Sequence, residues 1–403
     1  MSMLYLKKFI LKVDFIGKIV FCVFLAMSVE QSFADNFNSG VTTDDVDIAS
    51  PKTPKPILLK PIKIDGAIAP GSGPYLQNVT TTSIVVCWIM NEQVQTHLLN
   101  NLEPGQDYTY TLSDNTKDYI VKFRTAPKVD QSFNFAVWGD NRSYPGIAKA
   151  VAEQMLKKNP NMAINTGDIA HKGDINVYIN EFFQPFATLF SNVPFFVSVG
   201  NHEYVGDSKL VLFKKLLRQP GNGLYFAFTY GNSRFIVLNS YETRELNKGG
   251  KQLKWLETEF NSDDYKKSKF KFLIFHHAPY SQDWYGGTVL TKQTRGPAFR
   301  YIIHLAEKNG VDIVFCGHFH CYDRGMKTSN NGHETYFIVT GGGGGPDTLT
   351  NKNLCWPFMT VHGHDKHFTF TEIDGSNLSF QAIDTDGNII DQFEIHKKKE
   401  EYL

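Results

Sequence analysis

Five short segments each place a metal-binding type of residue at the end of an apolar run. They are Trp138-Gly139-Asp140, Asn165-Thr166-Gly167-Asp168, Gly200-Asn201-His202-Glu203, His276-His277-Ala278-Pro279 and Gly317-His318-Phe319-His320. Each apolar run predicts a buried strand, and the glycine or proline that follows predicts a turn. Because ligands of α/β proteins bind at the carboxyl ends of strands, we expect these side chains to face one cleft. Asp, Asn and His together predict metal chemistry.

Asp168 is the candidate carboxylate for joining two metal ions. Two divalent ions about 3.5–4 Å apart can hold a phosphoryl group beside a hydroxide, and one ion lowers the pKa of water towards about 7. Two Asp, one Asn and several His would leave such a centre cationic, which suits an anionic phosphate. The residue types therefore predict hydrolysis of a phosphate ester.

The elements that position these residues alternate between strands and helices from Phe133 onward. Ile147, Val151 and Met155 recur at a spacing of four, which predicts an amphipathic helix over residues 145–158. From Tyr336 onward the pattern is mostly that of strands. Helices between strands early and strands late predict an α/β fold built as a layered sandwich.

Residues 71–127 carry a separate all-β pattern with several strands bounded by turn residues. The segment from Leu102 to Tyr108 resembles the tyrosine corner of fibronectin type III domains. The interval between Trp88 and Pro104 is short for the further strands of that family, so we predict a small, truncated β sandwich. We expect it to serve as a spacer on the catalytic domain, and a ligand-binding module is the alternative.

The first residues have the features of an export signal. Four lysines precede the 11-residue apolar stretch 19–29, and Ser32-Phe33-Ala34 offers a cleavage site. A bilayer span needs roughly 20 residues, so no transmembrane segment is expected after signal removal. We predict a signal peptide at residues 1–34 and a secreted or periplasmic location, with an uncleaved amphipathic anchor as the alternative. Four prolines predict a disordered linker over residues 35–70.

The amino-acid composition limits which partners can be expected. The 403 residues contain 41 Lys and Arg against 41 Asp and Glu, which gives no electrostatic reason to expect a nucleic-acid partner or a membrane surface. A hydrophobic content of 42% can fill a large core. Five cysteines do not form a disulfide scaffold in a chain this long, and a bridge between Cys321 and Cys355 stays open. Oligomeric state is also left open.

The five segments, in this order, resemble the calcineurin-like metallophosphoesterase superfamily. The preceding β domain, the histidine two residues before Pro279, and residues 317–324 are most similar to its purple acid phosphatase branch. The resemblance implies a layered α/β/β/α sandwich over residues 131–397 and a hydrolase of phosphate esters.

The resemblance also implies two sets of metal ligands. The first ion would be held by Asp140, Asp168 and His320, and the second by Asp168, Asn201, His277 and His318. His202 would lie over the phosphoryl oxygens, where it stabilises developing charge or protonates the leaving group. A metal-bound hydroxide would attack phosphorus in line. We expect His276 to face the sheet or to contact the ligands from outside.

Two residues depart from the purple acid phosphatase pattern. The branch has Gly where this chain has Arg142, and it has the tyrosine that binds ferric iron where this chain has His171. We predict that His171 completes the shell of the first ion, and that the centre is colourless and prefers divalent Mn, Fe or Zn to ferric iron. Arg142 is predicted to contact a substrate phosphate oxygen, with a salt bridge as the alternative.

These observations predict an exported phosphomonoesterase. The same metals could serve phosphodiesters or cyclic nucleotides, because the motifs specify the ligands and not the pocket of the leaving group. A metal-binding surface interaction protein without catalysis is the alternative from another class. The presence of His202 beside the ligands argues against it, because a structural metal site has no use for an open position.

Overall fold

The structure is a computed structural model that describes residues 55–69, 71–282, 297–347 and 356–398. The predicted signal peptide, the first part of the predicted linker and Cys355 lie outside these residues. Cys87 and Cys316 are buried free thiols, and Cys321 is buried as well. Within the described part of the chain, no helix is long and apolar enough to cross a membrane.

The N-terminal part consists of two small sheets. Its strands are β1 (Ile57–Leu58), β2 (Ile62–Lys63), β3 (Tyr75–Gln77), β4 (Ile84–Met90), β5 (Gln93–Leu99), β6 (Asp107–Ser113) and β7 (Asp118–Arg124). One sheet joins β6 antiparallel to β7 and parallel to β1 and β2, and the other has the antiparallel order β3-β4-β5. The fold of this part is the predicted small all-β sandwich.

Three details refine the predictions for this part. Residues 57–63 pair with β6, so the predicted disordered linker is wrong there, because Leu59, Ile62 and Ile64 pack against the core. The short interval between Trp88 and Pro104 contains one further strand, β5, which the sequence did not predict. The N–H of Glu103 donates to the hydroxyl of Tyr108 at 2.7 Å, which confirms the tyrosine corner.

Thirteen further strands form two larger sheets. They are β8 (Phe133–Trp138), β9 (Met162–Asn165), β10 (Phe195–Val197), β11 (Phe226–Tyr230), β12 (Ser233–Val237), β13 (Phe270–His277), β14 (Ile313–Gly317), β15 (Tyr322–Thr328), β16 (Glu334–Thr340), β17 (Met359–Gly363), β18 (His367–Asp374), β19 (Asn377–Asp384) and β20 (Ile389–His396). The first sheet has the order β10-β9-β8-β18-β19-β20, and the second β11-β12-β13-β14-β16-β15-β17. Strands β8 to β10 are mutually parallel, as are β12, β13, β14 and β16.

Helices cover the outer faces of both sheets. They are α1 (Pro145–Lys158), α2 (Ile175–Tyr178), a π-helix (Ile179–Phe183), α3 (Ala187–Phe190), a 3₁₀ turn (His202–Tyr204), α4 (Val211–Leu216), α5 (Lys251–Glu259), α6 (Asp263–Lys267) and α7 (Pro297–Lys308). The predicted helix over residues 145–158 is confirmed as α1. It begins at a proline, whose fixed φ suits a first turn, and ends at Asn159 with φ of 50°.

Alternate residues of the central strands explain the four layers. In β8, Phe135 contacts Phe235 and Phe272 of the opposite sheet, with ring centroids 5.2 and 5.1 Å apart. Trp138 lies on the opposite, outer face and packs instead against Phe182 of the π-helix and Phe190 of α3. Because side chains of a strand alternate between faces, the same strands bury residues on both sides. The predicted α/β/β/α sandwich is confirmed.

Candidate metal centre

The five predicted strand ends meet at one edge of the two sheets. Strands β8, β9 and β10 lead into Asp140, Asp168 and Asn201, and strands β13 and β14 end at the two histidine segments. Asp140, Asp168 and His318 have positive φ values of 57°, 55° and 72°. Such values are uncommon for residues other than glycine and cluster at functional sites. The backbone turns sharply where these predicted ligands lie.

Asp140 is fully buried with one carboxylate oxygen left unsatisfied. Its Oδ2 accepts the N–H of His318 at 2.8 Å. Its Oδ1 has no hydrogen-bond partner in the described structure, and Nε2 of His320 lies 3.5 Å away. Burial raises the pKa of Asp140 to about 6, and the Asp168 carboxylate adds to the increase. A buried, unpaired carboxylate oxygen beside an imidazole fits a cation site.

Asp168 turns its two oxygens towards different neighbours. Oδ1 accepts the N–H of His202 at 2.9 Å and lies 3.4 Å from Nε2 of His276. Oδ2 lies 3.4 Å from Nε of Arg142 and 3.9 Å from Nε2 of His202. The ligand atoms of Asp140, Asp168 and His276 all lie within 4.8 Å of one another. This placement suits a carboxylate that contacts two ions.

His276 joins the cluster, although we expected it to face the sheet or to contact the ligands from outside. Its Nδ1 lies 3.1 Å from the carbonyl oxygen of Thr166, which can only accept, so Nδ1 carries the hydrogen and Nε2 the lone pair. That Nε2 lies 3.2 Å from Oδ1 of Asn201 and 3.2 Å from Nδ1 of His318. The register of β13 shifts between Ile274 and His277, which breaks the alternation of faces. In the sequence, the signal for this position was the pair of adjacent histidines at the end of a predicted strand.

His277 and His318 lie next to His276. Ligand nitrogens of all three fall within 4.8 Å of one another. Nδ1 of His277 is 2.9 Å from Oγ of Ser240, which also accepts the His277 N–H at 3.0 Å. Burial lowers the pKa of His277 and of His318 to about 3, and that of His276 well below its usual value. The rings are therefore neutral at ordinary pH, the form that binds metals.

His320 faces the centre from the other side of Asp140. Its Nδ1 donates to the carbonyl oxygen of Pro346, which leaves Nε2 directed at Asp140. Burial lowers the pKa of His320, but the Asp140 carboxylate outweighs burial and the net shift is upward. A ring held through Nδ1 by a carbonyl is a common arrangement for a metal-binding histidine.

Glu203 links two of the turns that carry predicted ligands by hydrogen bonds. Its buried carboxylate accepts the N–H groups of Gly200, Asp168 and Ile169 at 2.6, 3.0 and 2.9 Å. Burial, and then the nearby Asp168 carboxylate, raise the pKa of Glu203 to about 8. Cations at the centre would neutralise Asp168 and so favour ionised Glu203. This residue supports the ligands and does not itself join the groups of ligand atoms described above.

The remaining predicted residues lie around the cluster. Nδ1 of His202 donates to the carbonyl oxygen of His171 at 2.9 Å, because that oxygen can only accept. The His171 side chain is 45% exposed, and its Nδ1 lies 2.6 Å from the carboxylate of Glu181. His171 is absent from the groups of potential metal ligands within the described residues, and its role as a ligand stays a prediction. Arg142 approaches Asp168 with a side chain that is 17% exposed.

The donor set fits divalent cations. Carboxylate, amide and imidazole donors suit Mn, Fe and Zn. Nε2 of His276 and Nδ1 of His318 lie 3.2 Å apart, and their low pKa values leave both rings without a charge. The unpaired Oδ1 of Asp140 adds an acceptor that lacks a donor. His276 belongs to both groups of potential ligand atoms, the one with His277 and His318 and the one with Asp140 and Asp168, so cations at the centre would be held by both groups.

Comparisons with known proteins agree with this geometry. A sequence profile of the calcineurin-like phosphoesterase family matches residues 133–322. Purple acid phosphatase 18 of Arabidopsis thaliana is 24% identical over 313 residues, which cover 72% of this chain and 67% of that protein. Probable inactive purple acid phosphatase 9 of the same plant is 25% identical, over 58% of this chain and 43% of that protein.

A solved structure shows the same fold. Purple acid phosphatase PPD1 from yellow lupin (Lupinus luteus) seeds matches with a TM-score of 0.65 and 19% identity, over 80% of this chain and 74% of that protein. The matched family segment contains the turns of Asp140, Asp168 and Asn201 and both histidine segments. Residues 133–322 therefore match a calcineurin-like phosphoesterase domain, the chain is similar in sequence and fold to purple acid phosphatases, and it is a metal-dependent phosphoester hydrolase.

Proposed function

We propose that this chain hydrolyses phosphate monoesters at a centre of two divalent metal ions. The observation that carries the proposal is the position of Asp168, whose two oxygens face different sides of the cluster. The residues proposed to hold the ions are Asp140, Asp168, His171, Asn201, His277, His318 and His320, to which the geometry adds His276. When bound, the ions would activate a water molecule and neutralise phosphoryl oxygens.

Arg142 is proposed to bind the substrate phosphate. Its Nε is buried without a hydrogen-bond partner in the described structure and lies 3.4 Å from Asp168 Oδ2. A guanidinium can donate two parallel hydrogen bonds to phosphate oxygens, which orients the phosphoryl group as well as attracting it. The side chain therefore has unused donors at the edge of the cluster.

His202 is proposed to supply the proton for the leaving group. Its Nδ1 is occupied by the carbonyl oxygen of His171, so only Nε2 is available to the cleft. That nitrogen lies 3.9 Å from Oδ2 of Asp168, at the side of the proposed bridging carboxylate. A general acid in this position lowers the barrier most for substrates whose leaving group is strongly basic.

Export of the protein is part of the proposal. The basic and apolar segments of residues 1–34 supply the features of a signal peptide, and the relatives named above include plant purple acid phosphatases. We propose that the enzyme acts outside the cytoplasm, in the periplasm or after secretion. The metals are proposed to be Mn, Fe or Zn in the divalent state, because no tyrosine occupies the position of His171.

The test compares a phosphate monoester with its diester. The purified protein is stripped of metal, reloaded with Mn, Zn or Fe, and assayed on nitrophenyl phosphate and bis(nitrophenyl) phosphate. We expect a higher kcat/KM for the monoester. A higher value for the diester would replace the monoesterase proposal with a phosphodiesterase. Metal binding without turnover of either substrate would support a non-catalytic role, as the description of one relative as probable inactive illustrates.

A further inference from the structure

Glu181 is a buried acidic residue that no predicted role explains. It lies in the π-helix Ile179–Phe183, is 8% exposed, and its sequence neighbours Phe182 and Phe183 are buried. Burial of a carboxylate next to aromatic side chains is unfavourable unless hydrogen bonds compensate it. Single π-helical turns occur frequently at functional sites. The contacts of this carboxylate therefore indicate what it is for.

Both oxygens of Glu181 hold His171. Oε2 accepts the backbone N–H of His171 at 2.8 Å, and Oε1 lies 2.6 Å from Nδ1 of the same residue. The main chain of Glu181 is fixed as well, because its carbonyl oxygen accepts Nδ2 of Asn141 at 3.1 Å. His171 is thus restrained through its backbone and through its ring.

The restrained peptide of His171 in turn holds His202. The carbonyl oxygen of His171 accepts Nδ1–H of His202 at 2.9 Å. The backbone N–H of His202 donates to Oδ1 of Asp168, also at 2.9 Å. One contact fixes the main chain of His202 and the other fixes the rotation of its ring. A continuous set of hydrogen bonds therefore runs from Glu181 through His171 to the ring that faces the cleft.

We propose that Glu181 is a positioning residue for proton transfer by His202, acting through the backbone of His171. The inference rests on the proposed function. In the step concerned, the bond between phosphorus and the leaving oxygen breaks, and its electron pair stays on that oxygen. The oxygen takes the proton from Nε2 of His202, a water oxygen forms the new bond to phosphorus, and the released proton passes to solvent. Misplacement of a reacting group by about 1 Å can cost about a hundredfold in rate.

The test measures how the rate depends on the leaving group. Dinitrophenyl phosphate needs little protonation of its leaving group, nitrophenyl phosphate needs more, and phenyl phosphate needs most. For Glu181→Ala we expect kcat on phenyl phosphate to fall by about thirtyfold to a hundredfold, and kcat on dinitrophenyl phosphate by less than about threefold. Metal content is measured in parallel, and the rates are compared at equal metal content, because loss of Glu181 also releases the ring of His171, a proposed metal ligand.

Two conservative variants keep the test decisive if Glu181→Ala does not fold. Glu181→Asp keeps the charge but is one methylene shorter, so it cannot reach both the N–H and the ring of His171, and we expect the same selective loss at a smaller size. Glu181→Gln keeps an acceptor for the backbone N–H of His171, the contact through which the proposal acts, but its amide N–H cannot accept the hydrogen of the ring. We therefore expect a leaving-group dependence much closer to that of the unsubstituted protein than to that of Glu181→Ala. Glu153→Ala, on the exposed face of α1, is the matched control and should change neither rate.

The outcomes separate the two proposals. If folded, metal-loaded Glu181→Asp and Glu181→Ala slow all three substrates equally, or not at all, Glu181 has no positioning role for His202. If the unsubstituted protein turns over none of the three substrates, the proposed function itself is wrong. A selective loss with phenyl phosphate and restoration by Glu181→Gln would establish the inference.

Discussion

The two sides of the candidate centre differ in their metal-binding atoms and in the hydrogen bonds that hold those atoms in place. The oxygen side, formed by Asp140, Asp168 and Asn201, follows strands of the first large sheet, and the N–H groups of His318 and His202 bind its carboxylates. The imidazole side follows β13 and β14 of the second sheet, and protein oxygens hold its rings. Those oxygens belong to Thr166, Ser240 and Pro346. Each side therefore directs its remaining lone pairs at the other.

Burial acts on the two sides in opposite directions. It raises the pKa of Asp140 to about 6 and lowers those of His277 and His318 to about 3. Both shifts favour the neutral form of the group, because desolvation penalises charge of either sign. Cations between the sides would stabilise the carboxylate and use the neutral rings as they are. Burial alone therefore shifts the pKa values on both the oxygen side and the imidazole side of the centre, although the two sides are chemically different.

The largest expected effect comes from breaking the oxygen side. Asp168→Asn keeps the shape but removes the charge proposed to contact both ions, so we expect kcat/KM to fall by at least about a thousandfold. Metal content by elemental analysis should fall below that of the unsubstituted protein. Asp130→Asn, on the exposed surface, is the matched control. Near-normal activity of Asp168→Asn would remove Asp168 from the proposed mechanism.

The next prediction tests which imidazole matters most. His276 lies nearest to Asp168, Asn201 and His318, so we expect His276→Ala to lower metal affinity by about a hundredfold or more. His277→Ala should also lower it, because the ring belongs to the same group. Calorimetric titration with Zn measures both. Unchanged affinity in His276→Ala would return that ring to the outer position expected from the sequence.

Metal uptake should depend on pH through the oxygen side. Asp140, with a pKa of about 6 in the metal-free chain, must lose its proton to bind a cation. Affinity should therefore weaken by up to about tenfold per pH unit below about pH 6 on account of Asp140. His277 and His318, with pKa values of about 3, add no dependence in this range, whereas His320, whose pKa is shifted upward, must also lose a proton, so the affinity should keep rising above pH 6. Titrations at several pH values test this, and Asp140→Asn should remove the part of the dependence that lies near pH 6.

A smaller effect is expected at Arg142. Loss of a charge-assisted contact in a partly exposed side chain should raise KM for nitrophenyl phosphate by about tenfold, with a smaller change in kcat. Arg142→Lys keeps the charge without the planar fork and should fall between Arg142→Ala and the unsubstituted protein. Equal KM values for all three proteins would leave only the ion pair with Asp168 as the role of Arg142.

The smallest effect lies outside both sides. Tyr108→Phe removes the hydroxyl that accepts the N–H of Glu103, so we expect a loss of about 1 kcal/mol in the free energy of unfolding. Metal affinity and kcat/KM should not change. Denaturant unfolding measures the loss, and reduced metal affinity in this variant would show that the β sandwich contributes to the centre.

The sequence predicted the strand ends because short apolar runs and turn residues are local signals. It missed β5, whose mostly polar, exposed residues Gln93–Leu99 do not alternate clearly. It placed residues 57–63 in a linker because prolines obscured a pairing with β6 that lies about 50 residues away. Pairing between residues this far apart in the chain produces no local pattern in the sequence.

The prediction of the candidate ligands was limited in the same way, because local patterns do not reveal distant contacts. The sequence could place Asp140, Asp168 and His318 at the edge of the sheets because each follows a predicted strand. The position of His276 beside them could not be predicted, because a register shift in β13 breaks the expected alternation. The partners of His171 and Arg142 could not be predicted either, since they depend on Glu181 and Asp168 being folded against them.

Strand β18 has a consequence for the order in which the chain can fold. It pairs with β8 in the middle of the first large sheet, so Phe370 lies opposite Ala136. More than 200 residues separate these partners, and every proposed metal ligand lies between them or close to Ala136 in the chain. Until the ribosome has released the C-terminal strands, one edge of β8 has no neighbour. A nascent chain is therefore exposed to unwanted strand pairing until late in synthesis, so chaperones that protect unpaired edges should matter for its yield.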